Sequence, residues 1–151
     1  MKPQMLLVFG LALLVGVAYA DDKDKKNDLN KLKGAWKATS VEAGGMALPD
    51  ELLDKITFTI TGDKYTFKSP DDNGVETVEE GTLKLDAAKK PAQMDINITK
   101  GKDEGKKQYG IYELDGDTMK VCFTPPEEER PKDFTTKEGS KNVVMLFKRQ
   151  K

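Results

Sequence analysis

The chain has 151 residues, with 25 Lys and Arg against 26 Asp and Glu, no histidine and a single cysteine. That length is one domain's worth of protein. The missing imidazole excludes Ser-His-Asp, Cys-His and His-ligated zinc chemistry, and a lone thiol excludes an internal disulfide or a CxxC redox pair.

Lys2, an apolar run over residues 5–17 and the small-x-small sequence Ala18-Tyr19-Ala20, followed at once by Asp21-Asp22, read as a secretory signal cleaved after Ala20. The alternative, an uncleaved anchor, is disfavoured because the run is shorter than the roughly 20 residues a spanning helix needs. The protein is therefore expected to be exported, periplasmic or extracellular, with no membrane span after cleavage. Removing residues 1–20 leaves 131 residues with 24 basic and 26 acidic side chains, a formal charge of −2. Such a balance is neither a nucleic-acid footprint nor a polybasic membrane signal. Residues 21–30, almost all Asp, Lys and Asn, have the composition of a disordered charged linker. Residues 31–151 are then the folded domain.

Within it, short alternating segments divided by Gly, Pro, Asp and Asn predict an antiparallel all-β fold. The first strand runs over residues 34–41, and Pro49-Asp50-Glu51-Leu52-Leu53-Asp54 predicts one or two helical turns, with proline at the start and acids in the first turn. In residues 56–61 apolar and β-branched polar residues alternate strictly, so Ile56, Phe58 and Ile60 share one face. Gly62-Asp63 turns the chain into residues 64–68, with Tyr65 and Phe67 inward. A strand from Val75 bends at Gly81 and ends at Leu85; another over residues 94–99 turns Met94, Ile96 and Ile98 inward.

Asp115-Gly116 predicts a two-residue type I′ hairpin, which needs positive φ at both central positions. The implied register sets Leu114 opposite Asp117, Tyr112 opposite Met119 and Gly110 opposite Val121. Leu114, Tyr112, Met119, Val121 and Phe123 then face in, while Tyr109, Ile111, Glu113, Lys120 and Cys122 face out. Residues 125–134 form a Pro- and acid-rich connection. The last strand, residues 142–149, is apolar without alternation, as expected of a strand covered on both sides. Eight antiparallel strands and one short helix between the first two can close an up-and-down barrel, wide enough to be filled by side chains or to hold one small ligand.

Leu32-x-Gly34-x-Trp36, the stretch over residues 91–96, residues 110–114 leading through Gly116-Asp117-Thr118 to Cys122, and Arg130-Pro131-x-x-Phe134 together resemble a small secreted lipocalin-like domain family, expanded in planctomycete bacteria, over residues 29–149. The resemblance implies a lipocalin-like barrel and no established activity. It also implies that Arg149 of the last strand stacks on Trp36 near the closed end, a structural pair in which cation–π attraction contributes roughly 0.5–2 kcal/mol.

Three features invite chemistry. Arg130 beside a rigid proline at a barrel rim is suited to an anionic ligand, or else pairs with Glu113 or one of Glu127, Glu128 and Glu129. Cys122 beside Lys120 has a neighbour that could lower its pKa, but with no base at hand it reads as a packed, inert thiol. Glu79-Glu80, Asp71-Asp72 and Glu127-Glu128-Glu129 could supply acid/base pairs, yet adjacent acids in turns read as solvated, and none forms an EF-hand loop. Asn97-Ile98-Thr99 is a glycosylation sequon by letter only, inside a predicted strand.

The expectation is a non-enzymatic, cofactor-free, monomeric module. It would bind a small apolar or amphipathic ligand on a lining of Phe58, Tyr65, Phe67, Tyr112, Met119, Phe123 and Arg130, with Trp36 and Arg149 structural. The alternative is a structural or interaction domain, its barrel filled by those side chains, meeting an envelope protein through its charged surface.

Overall fold

The structure, a computed structural model, describes residues 28–151. The expected signal and residues 21–27 lie outside the described residues.

Nine strands are present among the described residues: β1 (Gly34–Ala43), β2 (Met46–Ala47), β3 (Thr57–Thr61), β4 (Lys64–Pro70), β5 (Glu76–Asp86), β6 (Ala92–Lys100), β7 (Lys107–Asp115), β8 (Thr118–Phe123) and β9 (Val143–Arg149). Eight of them close an antiparallel barrel in chain order, because β9 returns to pair with β1. The ninth, β2, was not expected: it is a two-residue flap folded back on the end of β1. A single helical turn, α1 (Asp50–Leu53), follows it as predicted, with Pro49 at the N-cap, Asp50 and Glu51 in its first turn, and Leu53 buried.

The alternation read from the sequence sets the core. Ile56, Phe58, Ile60, Met94, Ile96 and Ile98 are all buried inside, while the threonines between the β3 residues face outward or sit half-buried. In β1 the alternation is broken deliberately. A bulge between Ala38 and Ser40 in the pairing with β9 shifts the inward face, so that Trp36 and Ala38 are followed by Val41. The outward Leu146 of β9 is 38% exposed beside that bulge while Phe147 is buried, so the last strand is covered on one face rather than both.

The β7–β8 hairpin turns one residue later than predicted. Asp115 pairs with Thr118, leaving Gly116 and Asp117 as the loop, and only Gly116 has positive φ (59°). Glycine at the first central position is the requirement of a II′ connection rather than I′. Each cross-strand partner moves by two residues, so Tyr112 faces Val121, Leu114 faces Met119 and Gly110 faces Phe123. A two-residue shift keeps every side chain on its predicted face. The outward face nonetheless contains two fully buried residues, Ile111 and Cys122. They belong to a small outer core that the connection after β8 helps to cover: Pro131 of that connection is buried, and Lys120 Nζ lies 4.6 Å above the Phe134 ring.

At one end the barrel is plugged. Residues 28–32 form a helical turn rather than part of a disordered linker, because Leu29 and the fully buried Leu32 pack against the interior cluster. Trp36 Nε1 donates to the Leu32 carbonyl at 2.8 Å, and the Tyr112 hydroxyl donates to the Asp28 carboxylate. Arg149 stacks on Trp36 at 4.2 Å, as expected, and donates to the carbonyls of Lys31 and Lys33, with Nε 3.4 Å from the Asp117 carboxylate. One planar guanidinium thus joins the first strand, the last strand, the β7–β8 turn and the helical turn.

Gly81 holds a second tight place. The β5–β6 register shifts between Glu80 and Gly81, and a Cβ on Gly81 would lie 2.1 Å from the Asn97 carbonyl oxygen and 2.7 Å from Tyr65 Cε1. Gly81→Ala is expected to lower the unfolding free energy by about 1–3 kcal/mol; an unchanged urea midpoint would show that the backbone there yields freely. Arg149→Lys is expected to cost about 1–3 kcal/mol in the same assay, since an ammonium cannot stack on the indole and reach two carbonyls together. Full stability in that variant would remove the guanidinium from the account of the plugged end.

Candidate functional site: a cavity at the open end

Opposite the plug, the barrel opens into a cavity of about 610 Å³. Its floor is aromatic. Phe58 on β3 meets Tyr65 and Phe67 on β4 edge to face, with ring centroids 5.6 and 5.8 Å apart, and meets Phe147 on β9 at 5.7 Å. Ile96, Phe123, Val143 and Met145 complete the apolar wall, and Leu48 and Leu52, from the segment carrying α1, overhang the mouth. Residues 124–126, which follow β8, supply another side of the rim.

One strand carboxylate enters this surface, and Asp71, Asp72 and Asp103 join the lining from the turns. Glu79 on β5 pairs across the sheet with Phe67 and points the same way as Gly81, Leu83 and Leu85. It accepts a hydrogen bond from the Tyr65 hydroxyl at 2.8 Å. Burial pushes its pKa up from the ordinary 4.5, opposed by the Tyr65 hydrogen bond and reinforced by the charge of Asp103. Burial likewise pushes the Tyr65 phenol well above its usual range, with Glu79 adding to the shift. Its neighbour Glu80 faces out, with Lys100 Nζ 3.6 Å away. The two adjacent acids therefore do not share one solvated fate: strand alternation sends one in and one out.

The other acidic runs are structural. Asp71 Oδ1 accepts from the backbone N–H groups of Asn73 and Val75, closing the β4–β5 turn. Glu127 exchanges hydrogen bonds with the Lys107 backbone, and Glu128 holds Lys141 at 2.6 Å.

Of the expected lining residues, Phe58, Tyr65, Phe67 and Phe123 come together in the cavity. Tyr112 and Met119 do not. Both are buried in the plugged half, Met119 opposite Leu114 and Phe147, Tyr112 beneath Asp28. Arg130 is not at the rim and pairs with none of its expected carboxylates. It lies on the outer face of β6 and β7, where Nη2 is 2.6 Å from Asp95, Nη1 donates to the Gly110 carbonyl at 2.8 Å, and its guanidinium lies 5.3 Å from the Tyr109 ring centre. It is a clasp for the connection after β8. Cys122 is fully buried on that same outer side, opposite Ile111 and Val144 rather than Tyr109, and burial pushes its thiol up to about 11.

Glu79, expected to be solvated with its neighbour Glu80, lines the cavity instead. Its signal was present, because extending the inward alternation of Leu85 and Leu83 by two more steps reaches Gly81 and then Glu79.

The sequence profile of the lipocalin-like domain matches residues 32–121. Among solved structures, the chain is similar to a lipocalin-like protein from Bacteroides uniformis, at 13% identity and a TM-score of 0.51, over 80% of this chain and 99% of that one. No curated protein matches the sequence.

The Glu79 shift carries a sign. An acid whose pKa is raised by folding keeps its proton in the folded state over a pH range where the unfolded chain has lost it, so stability falls as pH rises from about 4.5 through the folded value. Glu79→Gln, which retains an acceptor for Tyr65, is therefore expected to be more stable than wild type at neutral pH, with the difference closing toward pH 4. Urea midpoints across that range check this; a wild type that gains on the variant as pH rises would reverse the sign.

Proposed function

Because the chain belongs to the lipocalin-like domain family, we propose that it binds one small apolar or amphipathic molecule in the open-end cavity, as an exported, non-catalytic module. The observation that carries this reading is the asymmetry of the interior. One half is closed by the buried Trp36, Ile60, Tyr112, Met119 and Phe147, with a hollow of about 540 Å³ lined by Asp28, Lys31, Tyr112 and Arg149 at that end, and the other leaves about 610 Å³ over an aromatic floor. Cavities of this size with few polar groups are the usual form of small-molecule sites. The filled-barrel alternative describes the plugged half and leaves the open half without a role.

The non-catalytic part of the proposal rests on the residues available. With no histidine in the chain and Cys122 buried on the outer face with a raised thiol pKa, the groups lining the cavity that can move protons are the Glu79–Tyr65 pair, the turn carboxylates Asp71, Asp72 and Asp103, and Lys141, with no imidazole or thiol among them. Export rests on the signal-like residues 1–20.

The test uses protein recovered from export in a bacterial host and begins with its N-terminal mass, which should place cleavage after Ala20. Nile red, a neutral solvatochromic dye, should then bind with single-site saturation and a blue-shifted emission. Val143→Trp, which fills the cavity from β9, should abolish that signal while leaving the thermal midpoint near the wild-type value. Absence of saturable dye binding, or a signal indifferent to Val143→Trp, would sink the reading.

A further inference from the structure

Resting on the binding reading above, we propose that the ligand is an amphiphile with a cationic, hydrogen-bond-donating head, of the protonated-amine class, seated against Glu79 with its apolar body over Phe58 and Phe67.

Glu79 is a carboxylate on an inward strand position, across from Phe67, between the aromatic floor and the turn that carries Asp103. Among the described residues no Lys or Arg lies within ion-pairing distance of it. Its protein partner is the neutral Tyr65 hydroxyl, and an ionised carboxylate has about four acceptor positions, so acceptor capacity remains on the cavity side. Tyr65 is itself held edge to face against Phe58, which positions the carboxylate rather than neutralising it. A desolvated charge without a counter-charge is costly, and an entering cation removes that cost.

The charged residues of the lining are Asp71, Asp72, Glu79, Asp103 and Lys141. Lys141 is bound to Glu128 at 2.6 Å and Asp103 to Lys106 at 3.4 Å, so the lining charges without an ion-pair partner among the described residues, Asp71, Asp72 and Glu79, are all negative. An anionic head, such as that of a fatty acid, would meet this field with the wrong charge; a neutral head would leave Glu79 uncompensated. An ammonium gains a charge-assisted hydrogen bond in a partly desolvated place, and the faces of Phe58 and Phe67 tolerate a cation as well as a hydrocarbon. A positive neighbour offsets the cost that burial and the Asp103 charge place on the ionised Glu79 carboxylate.

The experiment displaces Nile red from the exported protein at neutral pH with three ligands of one chain length, dodecylamine, dodecanol and dodecanoate, each below its micellar concentration. The amine is expected to bind at least about tenfold more tightly than the alcohol, and the carboxylate most weakly. Glu79→Gln should erase the advantage of the amine over the alcohol, while the outward Glu80→Gln should preserve that advantage. An alcohol that displaces the dye as well as the amine does, or an amine preference that survives Glu79→Gln, overturns the charge assignment and leaves the binding reading standing. Failure of all three to displace a bound dye overturns the binding reading itself.

Discussion

Closure of the sheet is the constraint on which everything else here depends. An open antiparallel sheet of this length would present two unpaired edges, and the strands that must meet to remove them are the first and the last in the chain, the pair with the greatest sequence separation. Arg149 is placed where they meet. It stacks on Trp36 of β1, binds the carbonyls of the turn that precedes β1, and reaches the β7–β8 turn through Asp117. Gly34 leaves room for it, since a Cβ there would stand 3.2 Å from Nη1. The seam and the plug are therefore a single assembly, formed only when both chain ends of the domain are in place.

The empty half follows from the full one. Large side chains are concentrated at the plugged end, so the interior there is dense, while the strands continue past them toward a mouth built from connections instead of further core. The bulge in β1 rotates Val41 inward, and the shift at Gly81 in the β5–β6 pairing lies beside the Tyr65 ring. Both irregularities are near the transition between filled and unfilled interior, where a regular eight-stranded barrel would otherwise taper onto its own side chains.

Much of this was legible in the sequence because a two-residue period leaves little choice. The alternations around Phe58, Tyr65 and Ile96 determine the inward face by themselves, and the lipocalin-like resemblance implied the stack of Arg149 on Trp36 at the seam. What was not legible depended on partners remote in sequence or on competition between similar local choices. Arg130 binds Asp95 on a strand two removed from its own connection, a pairing that no local pattern announces. Asp115-Gly116 and Gly116-Asp117 both suit two-residue turns, and packing decided between them. The polar composition before Leu32 predicted disorder, yet Leu29 and Leu32 lie three residues apart on one side of a helical turn and are drawn onto the barrel. Glu79 was hidden by an adjacent acid, since a pair of glutamates reads as surface until the pleat separates them.

The connection after β8 has two attachments with different meanings. Through Arg130 it is clasped to the outside of β6 and β7, and through residues 124–126 and Lys141 it shapes the entrance to the interior. The outer wall is thus mechanically in series with the doorway. Changes in residues 124–126 act directly on the entrance, while changes at Arg130 or Asp95 act on the same loop from the convex exterior.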